Sequence, residues 1–354
     1  MVLHMRKSFL ASVVSALVFA VGAITFGATP ARACHIAEDN PSFLFGRIVQ
    51  SWTAKYKHPL IGRVYDTRGT EPNPQKAQFK EFCLLSDDFW IMIERPDILL
   101  LGEVHDNAEH HRLRASMLQA GAVVSEHVTI DRAPGLARFL EMARTTKRTL
   151  TIDDFKELLR WPTSGWSDDV AQLLFTVAMQ NKIPIYPGDV PRNTILRILK
   201  EGPAAFAEND VARMKLNVPL GEKLDEALLT EIADSHCGAM PKEAFHGMAF
   251  AQRFRDANMA DMLLKAVEKH GSAVLIAGNG HVRTDRGVPW YLHQRAPDKK
   301  VVSVMLIEVE EGSTDPESYG PRDPDGKPAA DFLIFTPRAE REDPCKNMRA
   351  HMKK

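Results

Sequence analysis

Two short runs in this chain, Ile98-Leu99-Leu100-Leu101 and Ala273-Val274-Leu275-Ile276-Ala277, are apolar at every position and stop at a glycine followed by a histidine. A strand with one wet face alternates apolar and polar residues; an uninterrupted apolar run of four or five residues suits a strand buried on both sides, as in a parallel sheet. The first run ends in Gly102-Glu103-Val104-His105 and the second in Gly278-Asn279-Gly280-His281. Further strands are expected at Ala122-Val123-Val124, Ile183-Pro184-Ile185-Tyr186, Val301 to Val309 and Phe332 to Phe335, with Leu60 to Tyr65 as an edge hairpin. Helical patterns separate them, beginning near Glu109, around Asp168 to Gln180, and from Pro241 to Val267 with Gly271 as a stop. The expected fold is therefore α/β: a mainly parallel central sheet with helices on both faces. Residues 135–180 are helical in pattern, interrupted at Trp161-Pro162-Thr163-Ser164-Gly165-Trp166, and form a helical cap insertion.

The first residues read as a leader. Arg6 and Lys7 precede an uncharged, mostly apolar run from Phe9 to Ala28, and Ala31-Arg32-Ala33 offers the small-x-small pattern of a signal peptidase site. Residues 1–33 are expected to be a signal peptide and 34–354 a single α/β domain. An uncleaved anchor is the alternative, and so is acylation of Cys34, although Ala31 and Arg32 make a poor lipoprotein signal. Removing Arg6, Lys7 and Arg32 leaves 42 basic residues against 46 acidic ones, so there is no electrostatic footprint for nucleic acid. Four cysteines, Cys34, Cys83, Cys237 and Cys345, lie in the exported part, where disulfides persist; they admit three connectivities.

Chemistry is expected where strands end. In an open parallel sheet, ligands bind at the carboxyl ends of the strands, and both Gly-x-x-His motifs fall there. Each glycine permits a sharp turn or close backbone approach, and His105 and His281 then reach over the edge. Glu103 sits inside the first motif, and Glu126 follows the next strand in Val123-Val124-Ser125-Glu126-His127. His105, His281 and Glu126 suit a divalent metal, and Glu103, Glu126 and His127 are the candidate acid–base groups if the chain is a hydrolase. Asn279, in the second motif, and Tyr186 and Tyr291, beside the edge, are further ligand-binding candidates. His110 and His111 read as solvated or helix-start residues. On the long helix, Met248, Gln252, Arg255 and Met259 share a face; this is a core stripe with an Arg255–Asp256 ion pair at its rim, or else Arg255 meets an anionic ligand such as a propionate. Asp189 and Arg192 also reach the ligand edge, whereas Trp161 and Trp166 either cover an apolar ligand or belong to the core, the core being the preferred reading.

Taken together, His58-Pro59-Leu60-Ile61-Gly62-Arg63, the Leu99 to Asn107 segment, Glu126, His236-Cys237-Gly238, Gln252, Arg255-Asp256, Met259-Ala260, Gly278 to Val282, Phe335-Thr336-Pro337 and Asp343-Pro344-Cys345 resemble the ChaN-like haem-binding uptake lipoproteins of the Tiki superfamily. The resemblance spans nearly all of the mature chain. It implies a cell-envelope location, periplasmic or outer-membrane-associated in a Gram-negative-type envelope, haem binding linked to iron uptake, and an option of homodimerisation. It also implies that Cys237 and Cys345 pair. The superfamily contains members that look like metal-dependent hydrolases built on two Gly-x-x-His motifs and a Glu, which carries over to His105, His281 and Glu126. The degraded lipoprotein signal departs from the family, leaving membrane contact dependent on acylation of Cys34. Phe332 stands where relatives often carry Tyr, so a tyrosinate iron ligand is not placed there. Three functions follow: an envelope haem-binding protein, a metal-dependent hydrolase, or a structural envelope protein whose histidines only pack.

Overall fold

A computed structural model describes residues 41–68, 93–118, 120–161, 166–180, 182–238, 240–343 and 345–346. The expected leader, Cys34, Cys83 and residues 162–165 lie outside the described residues. In chain order the elements are α1 (Pro41–Lys55), β1 (Val64–Asp66), β2 (Ile98–Glu103), α2 (Ala108–Met117), β3 (Ala122–Thr129), α3 (Ala133–Thr145), α4 (Ile152–Leu159), α5 (Asp168–Met179), β4 (Ile185–Asp189), α6 (Arg192–Glu201), α7 (Glu208–Arg213), α8 (Glu222–Ser235), α9 (Lys242–His270), β5 (Ala273–Gly278), α10 (Val288–Arg295), β6 (Val301–Glu308) and β7 (Phe332–Thr336).

The strands form one sheet in the order β1-β7-β6-β2-β5-β3-β4. All neighbours are parallel except β1 on β7. β2 and β5, the two apolar runs, lie side by side at the centre with every residue buried. Both faces of these strands are covered: α9 packs along β3, β4 and β5 on one side, and α2 and α5 pack against each other on the other. Residues 133–179 carry three helices, α3 to α5, knit by edge-on contacts among Phe139, Phe155 and Phe175.

Several boundaries differ from the sequence reading for identifiable reasons. β1 is an edge strand but no hairpin, because its partner β7 comes from the far end of the chain. β3 continues from Val124 to Thr129 with all eight residues buried, so Ser125, Glu126 and His127 lie on the strand. Three consecutive polar residues, Ser125 to His127, hid that extension, because here the polar side chains are buried in a site and not turned to water. β4 starts at Ile185 and runs to Asp189. Pro241 is the N-cap of α9, one position before the first helical residue, and Gly271 closes the helix at φ +81°, its N–H donating to Val267 O. No helix among the described residues is long and apolar enough to cross a membrane.

Candidate functional site

The two motifs converge because β2 and β5 are hydrogen-bonded neighbours with Glu103 opposite Gly278. Their glycines make room for one another's side chains. A Cβ on Gly102 would lie 2.2 Å from Asn279 Oδ1 and 2.6 Å from Val282 Cγ2; one on Gly278 would lie 2.7 Å from both Cε1 and Nε2 of His105. Close approach, and no left-handed turn, is thus what both positions require. Asn279 has a scaffold role, its Nδ2 donating to Leu306 O and its N–H to Glu103 O.

His105 stands between two networks. On one side its Nδ1 lies 2.8 Å from Glu103 Oε1, and the same oxygen receives His127 Nε2 at 2.7 Å. Glu103 Oε2 takes the guanidinium of Arg114, a residue with no exposure, and lies 2.9 Å from His111 Nδ1. Asn107 caps α2 by accepting from the N–H groups of Glu109 and His110, and this turns His110, His111 and Arg114 inward. His110 bonds Thr336 Oγ1 at 2.7 Å and accepts the Val104 N–H. Both α2 histidines are buried, contrary to the solvated reading: their hydrogen-bond partners sit behind the helix, out of sight of a local pattern. Burial disfavours the imidazolium, pushing His110 down to about 3, His127 well below its usual range and His111 downward. Burial also lowers Arg114, to about 9.

On the other side the charges are paired. Glu126 Oε1 takes Arg255 Nη2 at 2.7 Å and His281 Nε2 at 3.2 Å, and its Oε2 accepts the Gly278 N–H at 2.7 Å. Burial would raise the Glu126 pKa, but His281 and Arg255 outweigh it and hold the group well below the ordinary carboxylate range. His281 Nδ1 lies 2.6 Å from Asp256 Oδ1. Burial opposes the imidazolium, yet Glu126 and Asp256 overcome it and lift His281 to about 9. Arg255 also grips Asp189, through Nη2 at 2.7 Å and Nε at 3.0 Å. The expected Arg255–Asp256 pair is therefore not formed, because helical twist turns Asp256 to His281 while Arg255 reaches β3 and β4. Met248 joins a small cluster with Leu220, Leu228 and Ile232, and Met259 is core.

The expected metal set is split between these networks: His281 and Glu126 share a charged ladder, 3.9 Å from His105 Nε2 at its nearest oxygen. Among the described residues, the donor atoms that gather within 4.8 Å of one another are those of Glu103, His105 and His127. Tyr186 is not in the site. Its hydroxyl bonds His270 at the far end of α9, because Tyr186 pairs with Val124, short of the carboxyl edge where Glu126 lies. Tyr291 is fully buried, with Arg253 Nε donating to its hydroxyl. Trp166, for which the sequence reading prefers the core over covering a ligand, packs edge-on against His105 at 4.8 Å and His127 at 4.6 Å, while Trp161 does pack on the core. The expected disulfide between Cys237 and Cys345 is present.

Residues 89–292 match the family described as haem-binding uptake, Tiki superfamily, ChaN. The chain belongs to this family. Its fold is similar to a structure titled cofacial heme binding to ChaN of Campylobacter jejuni, at 19% identity and a TM-score of 0.54 over 77% of this chain and 95% of that one. Weaker likenesses join it to an erythromycin esterase mutant in its open conformation (13% identity, TM-score 0.37, 80% and 86% covered) and to a Bacillus cereus protein (14%, 0.41, 83% and 97%). Comparison with curated proteins gives no match. For a ChaN-family chain, sequence reasoning passed over Arg114 and set His111 aside as a solvated or helix-start residue. The available signal was a helix, Ala108–Met117, whose polar residues leave it no apolar stripe although it follows a buried strand.

Proposed function

We propose that this chain is an exported haem-binding protein that receives its ligand at the carboxyl edge, with His105 as the imidazole offered to the iron. The observation that carries the reading is accessibility: the His105 side chain is 45% exposed, whereas His110, His111, His127 and His281 are each 5% exposed or less. A ligand as large as haem can meet only the first. The Glu103 carboxylate on Nδ1 fixes the tautomer and leaves the lone pair on Nε2, the arrangement that makes imidazole a good iron ligand. In the observed rotamer Nε2 faces Gly278 and Glu126, so ligation requires the ring to turn outward, past Trp166. Family membership and the apolar leader of residues 9–28 support haem uptake in the periplasm or at the outer membrane, with membrane contact only if Cys34 is acylated. Titration of residues 34–354 with haemin should give a shifted Soret band at a defined stoichiometry, and His105→Ala should abolish the shift; a spectrum identical to free haemin overturns the proposal.

One observation favours a second reading. Glu103, His105 and His127 fit a divalent ion, which supplies Lewis acidity and an activated water to a hydrolase when bound. Glu126 is then the nearest remaining carboxylate, 3.9 Å from His105 Nε2. Protein that stays metal-free after incubation with Mn, Co and Zn salts removes this reading.

A further inference from the structure

The chain leaving β7 crosses the outside of the His105 loop before it reaches Cys345. Asn107 Nδ2 donates to Pro337 O at 3.0 Å and to Glu308 Oε1 at 2.7 Å. Ala339 N–H donates to the same Glu308 oxygen at 3.0 Å. Arg341 then binds Asp106 through Nε at 2.6 Å and Glu308 through Nη1 at 2.7 Å. Asp106 and Asn107 immediately follow His105, and Asn107 also caps α2, which carries His110, His111 and Arg114. This strap therefore buttresses the loop and the helix that position Glu103 and His105.

What holds the strap at its far end is a covalent bond to the C-terminus of α8, Cys237 to Cys345, with both cysteines partly exposed. Cys237 adopts φ +57°, a left-handed backbone uncommon for a residue with a Cβ, and Gly238 follows at φ +62°. A partly exposed disulfide at a strained turn is open to a thiolate, in contrast to one sealed in a core.

We propose that the Cys237–Cys345 disulfide is a redox-operated clamp on the ligand site: a dithiol that opens it frees the strap, loosens the His105 loop and weakens ligand binding. The last step rests on the haem reading above; the loosening does not. One thiolate of the dithiol attacks a cysteine sulfur, the S–S bond breaks, and a mixed disulfide forms. The second thiol closes the dithiol into its own disulfide. Two electrons and two protons pass to the protein, leaving Cys237 and Cys345 as thiols.

The test is hydrogen exchange by mass spectrometry on full mature protein, oxidised or treated with dithiothreitol, together with haemin titration. Reduction should speed exchange of the 104–111 amides about tenfold while β2 and β5 stay protected, as expected for a local opening. Haemin affinity should fall about fivefold or more, by the same loss of preorganisation. Cys345→Ser should match the reduced protein and ignore the reductant, which isolates this bond from Cys34 and Cys83. Arg341→Ala, with the disulfide intact, should also speed 104–111 exchange. Unchanged exchange in this segment after reduction, or in Arg341→Ala, overturns the clamp, as does global unfolding on reduction. Oxidised protein that binds no haemin defeats the haem reading, and the exchange arm still decides the clamp.

Discussion

His281 should titrate near pH 9, far above a free imidazole, and carry a measurable part of the stability with it. Its ring is buried between Asp256 at 2.6 Å and Glu126 at 3.2 Å, and the resulting pKa of about 9 compares with 6.5 for an ordinary imidazole. At about 1.4 kcal/mol per unit, the full effect is about 3 kcal/mol. The pKa is raised in the folded state, so this stabilisation is complete below pH 6.5 and is lost as pH rises through 9. It amounts to about 2 kcal/mol at pH 7.5 and less than about 1 kcal/mol at pH 9. The window above pH 7.5 is chosen because His105, His110, His111 and His127, all lowered, are neutral there in both folded and unfolded chains. Urea unfolding at pH 7.5 and 9 should show the loss in wild type and not in His281→Asn. Ring-nitrogen NMR should find His281 doubly protonated at pH 8. A His281 pKa at or below 6.5, or equal pH slopes in the two proteins, refutes the argument.

Other consequences follow from the same geometry. Gly278→Ala places a methyl 2.7 Å from the His105 ring tip; the half-exposed ring can swing away, so stability should change by less than about 1 kcal/mol while metal binding, which uses the observed rotamer, weakens about tenfold and haemin binding, for which the ring turns outward, does not, both read by titration. Because burial lowers the pKa of both His105 and His127, an ion at the Glu103–His105–His127 group displaces no imidazolium protons above neutrality, so its affinity should stay flat as pH rises beyond about 7; calorimetry in two buffers of different ionisation heat should find no proton release, and a steep rise in affinity would refute the pairing. Phe155→Ala, which empties a fully buried position against Phe139, should cost about 3–5 kcal/mol in chemical denaturation. Glu103→Gln leaves Arg114 buried without its carboxylate, and a loss of about 3 kcal/mol or more is expected by the same assay.

Much of the sheet was legible because its information is local. The runs at Ile98 and Ala273 had to be buried on both faces, and glycine at the end of each marked the edge where ligands bind. Glu103, His105, Glu126 and His281 do meet there. What escaped the sequence is the division of labour among them. Which carboxylate serves which imidazole depends on register: Glu103 opposite Gly278 sends His105 toward β2's own carboxylate, and the turn of α9 gives Asp256, not Arg255, to His281. His110 and His111 looked like surface residues because nothing local announces that Thr336, over two hundred positions away, waits for one of them. Trp166 escaped because no periodicity encodes its packing against His105 and His127. Tyr186 failed for the converse reason: it lies on the expected strand, but too early along it to reach the edge.

The two motifs look equivalent in sequence and are chemically opposite in the fold. His281 has a carboxylate on each ring nitrogen, and two N–H groups donating to two acidic oxygens leave no lone pair at neutral pH. His105 has one carboxylate at hydrogen-bond distance and a second 3.9 Å away, and partial burial lowers its pKa, so its Nε2 keeps a lone pair. Of the two motif histidines, a cation, whether a free ion or haem iron, accordingly can take His105 and not His281. The imidazolium of His281 does a different job: with Arg255 it neutralises Glu126, whose Oε2 in turn holds the Gly278 N–H and with it the backbone that His105 packs against. The second motif thus positions the first. It follows that His281→Ala and His105→Ala should differ in kind, the former loosening the edge and shifting ligand affinity by degrees, the latter removing the ligand atom outright.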